Sequence, residues 1–178
     1  MMKEMVVAIT LGLGLVTASC ADDTFSSNKF IGVEVGATSL QGDIGGIFAT
    51  PDNKVNGIEY GLKVGAQKNI WRTTLILNFF DKDDQNTEKF VGAFDYFFLN
   101  KNDNVSQMIE PYFGLNVGYI NYESTGIDES GLLYGGQAGL VVNLDDSVDI
   151  DLSYRYSLST VDSFDHSGSV ILGLNYFY

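Results

Sequence analysis

Apolar and polar residues alternate with a period of two along most of this sequence, and this pattern limits the fold more than any other feature. Clear examples are "NKFIGVEVGATSL" (28–40), "IEPYFGLNVGYINY" (109–122) and "SVILGLNYFY" (169–178). Successive side chains of a strand point to opposite faces, so this period indicates β-strands with one apolar face. After the first 23 residues no segment has a convincing helical period, and we count about eight strands of about 10 to 14 residues. The chain is therefore predicted to be all-β.

The polar segments between these strands differ in length in a regular order. Longer polar loops are predicted at 41–53, 81–87, 124–130 and 160–166, and tighter links at 68–69, 100–107 and 145–146. Membrane barrels have short turns on the periplasmic side and longer loops outside. The order predicts an up-and-down antiparallel barrel of eight strands whose N-terminus is periplasmic.

The composition of the polar face indicates which way such a barrel faces. That face is rich in glycine and carries charges of both signs, whereas a water-facing sheet surface is dense in Lys, Glu and Thr. An eight-stranded interior is narrow and must mix small residues with mutually satisfied polar groups. We therefore predict a transmembrane barrel with a filled interior in which these charges pair: Glu34, Glu59, Lys63, Arg72, Lys89, Asp95, Glu110, Asp149, Asp151 and Arg155.

Aromatic residues on the apolar face gather near strand ends. Trp71 begins a predicted strand, Tyr96 and Phe98 end another, and Tyr176 and Tyr178 end the last. All five would lie toward the periplasmic side, as an interfacial aromatic girdle requires. The alternative is the aromatic-rich core of a soluble sandwich or barrel, which gives no reason for the glycine-lined polar face or for an aromatic final residue.

The segments "IEPYFGLNVGYINY", "GGQAGLVVNLDDSVDIDLSYRY" and "ILGLNYFY" resemble the fifth strand, the sixth-to-seventh hairpin and the closing strand of the small outer-membrane β-barrels of the OmpA/OmpX type. The resemblance is strongest over 109–178. It implies that the closing strand carries a signal for the barrel-assembly machinery, with Leu172, Leu174, Tyr176 and Tyr178 as its apolar and aromatic positions. The usual final residue of that signal is Phe, and Tyr178 is a mild departure.

The N-terminal segment "MMKEMVVAITLGLGLVTASCADD" reads as a secretory signal, with one early lysine, a short apolar run and small residues before the cleavage site. We predict a cleaved signal peptide at 1–21 and a barrel domain at 22–178. Cys20 is the only cysteine. Its alternative role is a lipidated N-terminus, although Thr17 stands where a lipobox normally has leucine.

The net charge and the small numbers of histidine and cysteine residues disfavour nucleic-acid, zinc and cofactor sites. A formal net charge of −13 disfavours nucleic-acid binding. One histidine and one cysteine cannot build a zinc site, and no cofactor is expected. Acidic loop residues at 81–84, 128–129 and 162–165 are predicted to be solvated rather than metal-binding. His166, followed by Ser167 and Ser169, leaves open a Ser/His pair like that of lipid A-modifying enzymes, without the pattern of the deacylases.

These inferences predict a monomeric, non-enzymatic protein of the Gram-negative outer membrane with a structural or surface-interaction role. Its expected partners are outer-membrane lipid and lipopolysaccharide, the assembly machinery during biogenesis, and a host or surface ligand bound by the loops. Two alternatives remain open at this point: a narrow pore, and a lipid A-modifying enzyme.

Overall fold

The computed structural model describes residues 27–41, 54–82, 85–98, 108–124, 127–161 and 164–178. They form eight β-strands, each longer than the roughly 9–11 residues with which a tilted strand crosses a bilayer. The strands are β1 (Asn28–Gln41), β2 (Lys54–Lys68), β3 (Trp71–Lys82), β4 (Gln85–Phe97), β5 (Ile109–Ser124), β6 (Ile127–Asn143), β7 (Val148–Val161) and β8 (Phe164–Phe177).

The eight strands close into an antiparallel barrel in which each strand pairs with its neighbours in sequence. The barrel closes between β1 and β8, with Phe30 opposite Phe177 and Gln41 opposite His166. Closure pairs both edge strands and leaves no open edge of the sheet. The prediction of an all-β, up-and-down barrel of eight antiparallel strands is confirmed.

The start of β1 and the end of β8 lie at the same end of the barrel. There the Tyr178 N–H donates a hydrogen bond to the Lys29 carbonyl at 2.9 Å. We call this the lower end. The opposite, upper end carries the β3–β4, β5–β6 and β7–β8 hairpins.

The predicted lengths of the upper connections were wrong for these three hairpins. The strands run through most of the predicted loops, so that only residues 83–84, 125–126 and 162–163 separate them. Pairing continues to the tips, with Asp81 opposite Asn86 and Glu123 opposite Asp128. Backbone pairing needs no apolar side chains, which is why the polar composition of these segments was misleading. At the lower end, residues 98–108 separate β4 from β5, so loop length does not distinguish the two ends.

Two tight turns at the lower end have clear local causes. Asn69 has a φ of 53°, a left-handed conformation that asparagine tolerates better than most residues, and it joins β2 to β3. Between β6 and β7, the Asp145 carboxylate accepts hydrogen bonds from the backbone N–H groups of Ser147 and Val148 at 2.7 and 2.9 Å. These turns match the tight links predicted at 68–69 and 145–146.

Side chains that point inward fill the barrel in three layers. An upper apolar cluster contains Leu40, Ile76, Phe80, Val91, Ala93, Ile120, Tyr122, Leu133 and Val161. A lower apolar cluster contains Phe97, Tyr112 and Val141, with Ile70 packed against it. Charged and amide side chains occupy the middle, so the buried core is largely polar at its centre.

Several sequence predictions fall on other parts of the chain. The predicted signal peptide (1–21), Cys20 and all but the first residue of the predicted loop at 41–53 lie outside the described residues. Among the residues that are described, no helix is long and apolar enough to cross a membrane.

Candidate functional site

The outer surface of the barrel is apolar on all eight strands. Leu115 is 71% exposed, Leu62 58% and Val33 52%, and other large apolar residues alternate with them along every strand. Soluble monomers rarely expose continuous apolar patches larger than a few hundred Å². The wall of this barrel is therefore built to contact hydrocarbon rather than water.

Aromatic side chains near the ends of β3, β4, β5 and β8 form a rim at the lower end of this apolar band. The Trp71 ring lies 4.8 Å from that of Tyr96, and the Phe98 ring lies 5.2 Å from that of Phe113. Tyr176 on β8 and Tyr178, directly after β8, are also exposed at this end. An amphipathic ring suits a membrane–water interface, where one side of the ring is apolar and its edge or hydroxyl is wet.

The outward positions become polar near the upper end, where the apolar band stops. We call this ring the upper polar belt, and it comprises Ser39, Glu88, Asn121, Ser130, Thr160 and His166. Glu88 is opposite Asn121 in the β4–β5 pair, and the Ser130 hydroxyl lies 3.3 Å from the Asn121 side-chain oxygen. Exposed aromatic side chains such as Tyr60, Phe79 and Tyr134 also lie in the upper part of the apolar band. The upper polar belt follows them, and the three hairpins continue above it.

All ten charged residues predicted for the interior have buried side chains. Six of them form one group that we call the central ion network: Glu34, Lys63, Arg72, Asp95, Asp151 and Arg155. Glu59 and Lys89 form a separate ion pair above it. Among the residues that the structure describes, the buried interior therefore contains six carboxylates and four cations.

Arg72 anchors the lower half of the central ion network. Its Nε donates to Asp95 Oδ2 at 2.9 Å, and its Nη1 lies 3.0 Å from Asp151 Oδ2. The guanidinium also lies over the rings of Phe97 and Tyr112, 5.1 and 4.4 Å from their centroids. These contacts join β3, β4, β5 and β7 across the lumen.

Arg155 and Lys63 anchor the upper half of the network. Arg155 Nη1 lies 3.0 Å from Glu34 Oε1. Lys63 Nζ lies 3.9 Å from Glu34 Oε2 and 3.8 Å from Asp151 Oδ2. Burying a charge is tolerated only when it is paired and its remaining hydrogen-bond groups are satisfied, and the shared carboxylates meet that requirement.

Amide side chains complete the network, and sequence reasoning missed their role. Gln137 Nε2 donates to Asp95 at 2.7 Å while its Oε1 accepts from Arg155 Nε at 2.9 Å. Asn78 Nδ2 donates to Glu34 at 2.8 Å. An amide offers both a donor and an acceptor, so it can connect a carboxylate to a guanidinium. The only available signal was that these amides occupy inward positions of the alternation.

Two predicted interior carboxylates are paired with amides rather than with cations. Asn143 Nδ2 donates to Glu110 at 3.0 Å, and Asn175 Nδ2 donates to Asp149 at 2.5 Å. The expectation that interior charges pair with opposite charges therefore holds for the central ion network but not for these two. Both lie near the lower end of the lumen, beyond the reach of the ion pairs found for Lys63 and Arg72.

Very little free space remains inside the barrel. The cavity among Glu34, Lys63, Arg72, Gln137 and Arg155 has a volume of about 10 Å³. That is about the minimum space that one water molecule requires. An apolar cluster lies above this cavity and another lies below it, so side chains fill the described middle of the lumen.

His166 does not pair with Ser167 or Ser169, the two serines that follow it in the sequence. His166 faces outward and its ring lies 5.4 Å from that of Tyr156. Ser167 and Ser169 face inward and are buried, and the Ser169 hydroxyl lies 2.8 Å from that of Thr38. Alternate residues of a strand point to opposite faces, so the two kinds of side chain lie on opposite sides of the wall. Among the described residues, no three His, Cys, Asp or Glu side chains cluster as metal ligands.

Comparison with solved structures reveals the same architecture in proteins of very different sequence. Neisserial surface protein A (NspA) aligns with a TM-score of 0.68 at 15% identity, over 84% of this chain and 97% of that one. Outer membrane protein H (OprH) from Pseudomonas aeruginosa aligns with a TM-score of 0.59 at 20% identity, over 85% and 99% of the two chains. The fold is that of the small outer-membrane β-barrels. The resemblance predicted from the sequence is thereby confirmed at the level of the fold.

The fold does not specify an activity. The outer membrane enzyme PagL aligns with a TM-score of 0.52 at 12% identity, over 83% of this chain and 98% of that one, so barrels of this kind include an enzyme. No protein-family profile matches the sequence, and no curated protein matches it significantly. Function must therefore be argued from the surfaces of this barrel.

Proposed function

We propose that this protein spans the outer membrane of a Gram-negative cell as a monomeric, non-enzymatic barrel that serves the envelope through its structure or its exposed surface. The observation that carries the proposal is the reversed distribution of polarity. Apolar side chains cover the outside of a closed barrel, and a network of buried charges fills the inside. Exposing so many apolar side chains to water would be unfavourable, whereas exposing them to membrane hydrocarbon is favourable.

The boundaries of the apolar band support an orientation. The aromatic rim and both ends of the barrel sequence belong to the lower end, which we assign to the periplasm, in keeping with export through the predicted signal peptide at 1–21. The upper polar belt and the three hairpins then face the exterior. Hairpins that extend beyond the membrane are the surface available to a host or environmental ligand.

The filled lumen argues against the narrow-pore alternative. Ions would have to displace the upper apolar cluster and then separate the ion pairs of Arg72 and Arg155 with their carboxylates. Eight strands leave an interior wide enough only for side chains. The separation of His166 from Ser167 and Ser169 across the wall likewise argues against the enzyme alternative in the form that the sequence suggested.

The apolar band and the closing strand also indicate which partners the protein contacts. We propose that outer-membrane lipid and lipopolysaccharide surround the apolar band. We propose further that the barrel-assembly machinery recognises the closing strand through Leu172, Leu174, Tyr176 and Tyr178. In the barrel the first three are exposed on the outer face of β8, and Tyr178 is exposed directly after its end. Before β8 pairs with β1, they can therefore present one continuous apolar face to the assembly machinery.

The experiment that tests this proposal combines cell fractionation with gel mobility. We expect the protein in the outer-membrane fraction and a change in electrophoretic mobility between boiled and unboiled samples, because a folded membrane barrel resists detergent until it is heated. Recovery in the soluble periplasmic fraction with no mobility change would overturn the assignment. A change in lipid A composition on expression, abolished by His166→Ala, would overturn the non-enzymatic part alone.

A further inference from the structure

A groove of about 450 Å³ interrupts the outer wall of the barrel near its upper end. We call it the outer groove, and its principal lining residues are Ala37, Ser39, Tyr154, Tyr156, His166 and Gly168. It crosses β2, β1, β8 and β7, which are neighbours in the closed sheet, and Asn56 and Gly57 of β2 also line it. Its volume falls within the roughly 300–1,000 Å³ of ordinary small-molecule sites.

The groove is concave because small residues lie beside large ones. Ser39 is opposite Gly168 in the β1–β8 pair, and Tyr156 is opposite Gly168 in the β7–β8 pair. A Cβ atom added to Gly168 would lie 2.5 Å from the Tyr154 hydroxyl oxygen, so this tyrosine leans over the glycine backbone. The two tyrosines form one wall, and Ala37, Ser39 and Gly168 form the floor.

The height of the groove indicates the chemistry of its occupant. Its lower part, near Ala37 and Val170, belongs to the apolar band, whereas Ser39 and His166 belong to the upper polar belt. A fitting ligand is therefore an extended apolar chain below a polar head. In the bilayer the groove opens directly toward acyl chains, which are the molecules available to fill it.

The charges around the groove indicate what the polar head can be. No Asp or Glu is among the lining residues, although the whole chain has 23 acidic residues against 10 Lys and Arg. The lining therefore offers hydroxyl and imidazole donors without a carboxylate that would repel an anion. His166, Ser39 and the hydroxyl of Tyr154 are suited to hydrogen bonds with phosphate or sugar oxygens.

We propose that the outer groove binds one acyl chain of a lipopolysaccharide molecule of the outer leaflet, with its phosphorylated sugar head at Ser39 and His166. This inference rests on the proposed outer-membrane location and upper-end orientation. It adds a defined lipid site to a wall that would otherwise make only general contact with lipid.

Native mass spectrometry of barrels extracted from outer membranes in mild detergent tests the proposal. We expect the unaltered protein to retain about one lipopolysaccharide per barrel. Ala37→Trp, which fills the floor, should reduce retention at least about five-fold. Val33→Trp is the matched control, because Val33 lies on the same face of β1 outside the lining and is 52% exposed. Val170→Trp provides a second filling variant on β8 if Ala37→Trp does not fold.

The possible outcomes separate the groove from the barrel assignment. Every preparation is first checked for the heat-dependent mobility change, whose loss in the unaltered protein would contradict the proposed function itself. In barrels that pass this check, equal retention by the filling variants and Val33→Trp would overturn the groove proposal. Retention of phospholipid alone, or of no lipid by the unaltered protein, would also overturn it.

Discussion

Each buried charge inside the barrel is held by specific neighbours, and Asp95 has the most demanding position. Its side chain is fully buried and accepts hydrogen bonds from Arg72 and Gln137. Removing one partner from a buried ion pair leaves an uncompensated charge, which costs about 3–5 kcal/mol. Arg72 keeps Asp151 as a second partner, so Asp95→Ala should lower the free energy of unfolding by about the lower end of that range, about 3 kcal/mol.

Urea unfolding of the reconstituted barrel measures this change, with the fluorescence of Trp71, the single tryptophan, as the signal. Asp146→Ala is the control, because Asp146 is exposed in the β6–β7 turn and should change stability by less than about 0.5 kcal/mol. Replacing the pair together, as Asp95→Asn with Arg72→Met, should recover part of the loss. Equal stability of Asp95→Ala and the control would show that the network does not stabilise the barrel.

Glycine on the inner face allows large neighbours to approach the sheet. A Cβ atom added to Gly114 would lie 2.6 Å from the Phe94 carbonyl oxygen and would also collide with Asp95. Backbone cannot move away as easily as a flexible side chain, so Gly114→Ala should destabilise the barrel by about 1–3 kcal/mol. At Gly92 the nearest atom would be 3.7 Å away, an ordinary contact.

Gly92→Ala is the comparison on the neighbouring strand, at an outward position where nothing crowds the added methyl group, and we expect it to leave stability nearly unchanged. The same unfolding measurement compares the two variants. If Gly92→Ala proved as harmful as Gly114→Ala, the cost would come from strand propensity rather than from crowding inside the lumen.

Among the elements, β8 combines two tasks, because it closes the barrel against β1 and carries the proposed assembly signal. Tyr178→Asp should lower the outer-membrane yield far more than Phe98→Asp or charged residues inserted at 81–84. Tyr178 and Phe98 are both exposed aromatics of the lower end, 72% and 56% accessible, so loss of membrane contact is similar in the two variants. Quantitative blots of outer-membrane fractions provide the comparison. Similar yields for Tyr178→Asp and Phe98→Asp would mean that the terminal aromatic acts only as a rim residue.

The β5–β6 hairpin offers a test of orientation. Ser130 belongs to the upper polar belt and is exposed, whereas Asp146 is exposed in the turn at the lower end. Cysteine introduced as Ser130→Cys should react with a membrane-impermeant maleimide on intact cells, and Asp146→Cys should react only after the outer membrane is opened. The unaltered chain measures any background from Cys20. The opposite labelling pattern would reverse the proposed orientation.

For the whole molecule, the filled lumen predicts that the purified barrel does not conduct ions. The central ion network and the two apolar clusters leave a cavity of only about 10 Å³. Planar-bilayer recordings should therefore contain no steady unitary current, while a known porin inserted under the same conditions provides the positive control. Reproducible single-channel steps from this protein would favour the narrow-pore alternative.

Much of this architecture could be predicted from the sequence because alternation is a local property of a strand. The period of two identified eight strands and indicated which side chains share a face, and charges predicted on the inner one, such as Glu34 and Arg155, have buried side chains. The same reasoning failed at 81–87, 124–130 and 160–166. Most of the described residues there are paired through the backbone, and side-chain polarity does not report backbone pairing.

Alternation, charge and aromatic placement by themselves thus determined that the chain is a barrel with an apolar outside. Only the tertiary structure decided which groups meet inside it, because closure brings side chains from opposite strands together across the lumen. Arg155 reaches Glu34 on β1 although 121 positions separate them in the chain. The outer groove has the same origin: Ser39, Tyr156 and His166 become neighbours only where β1 closes against β8.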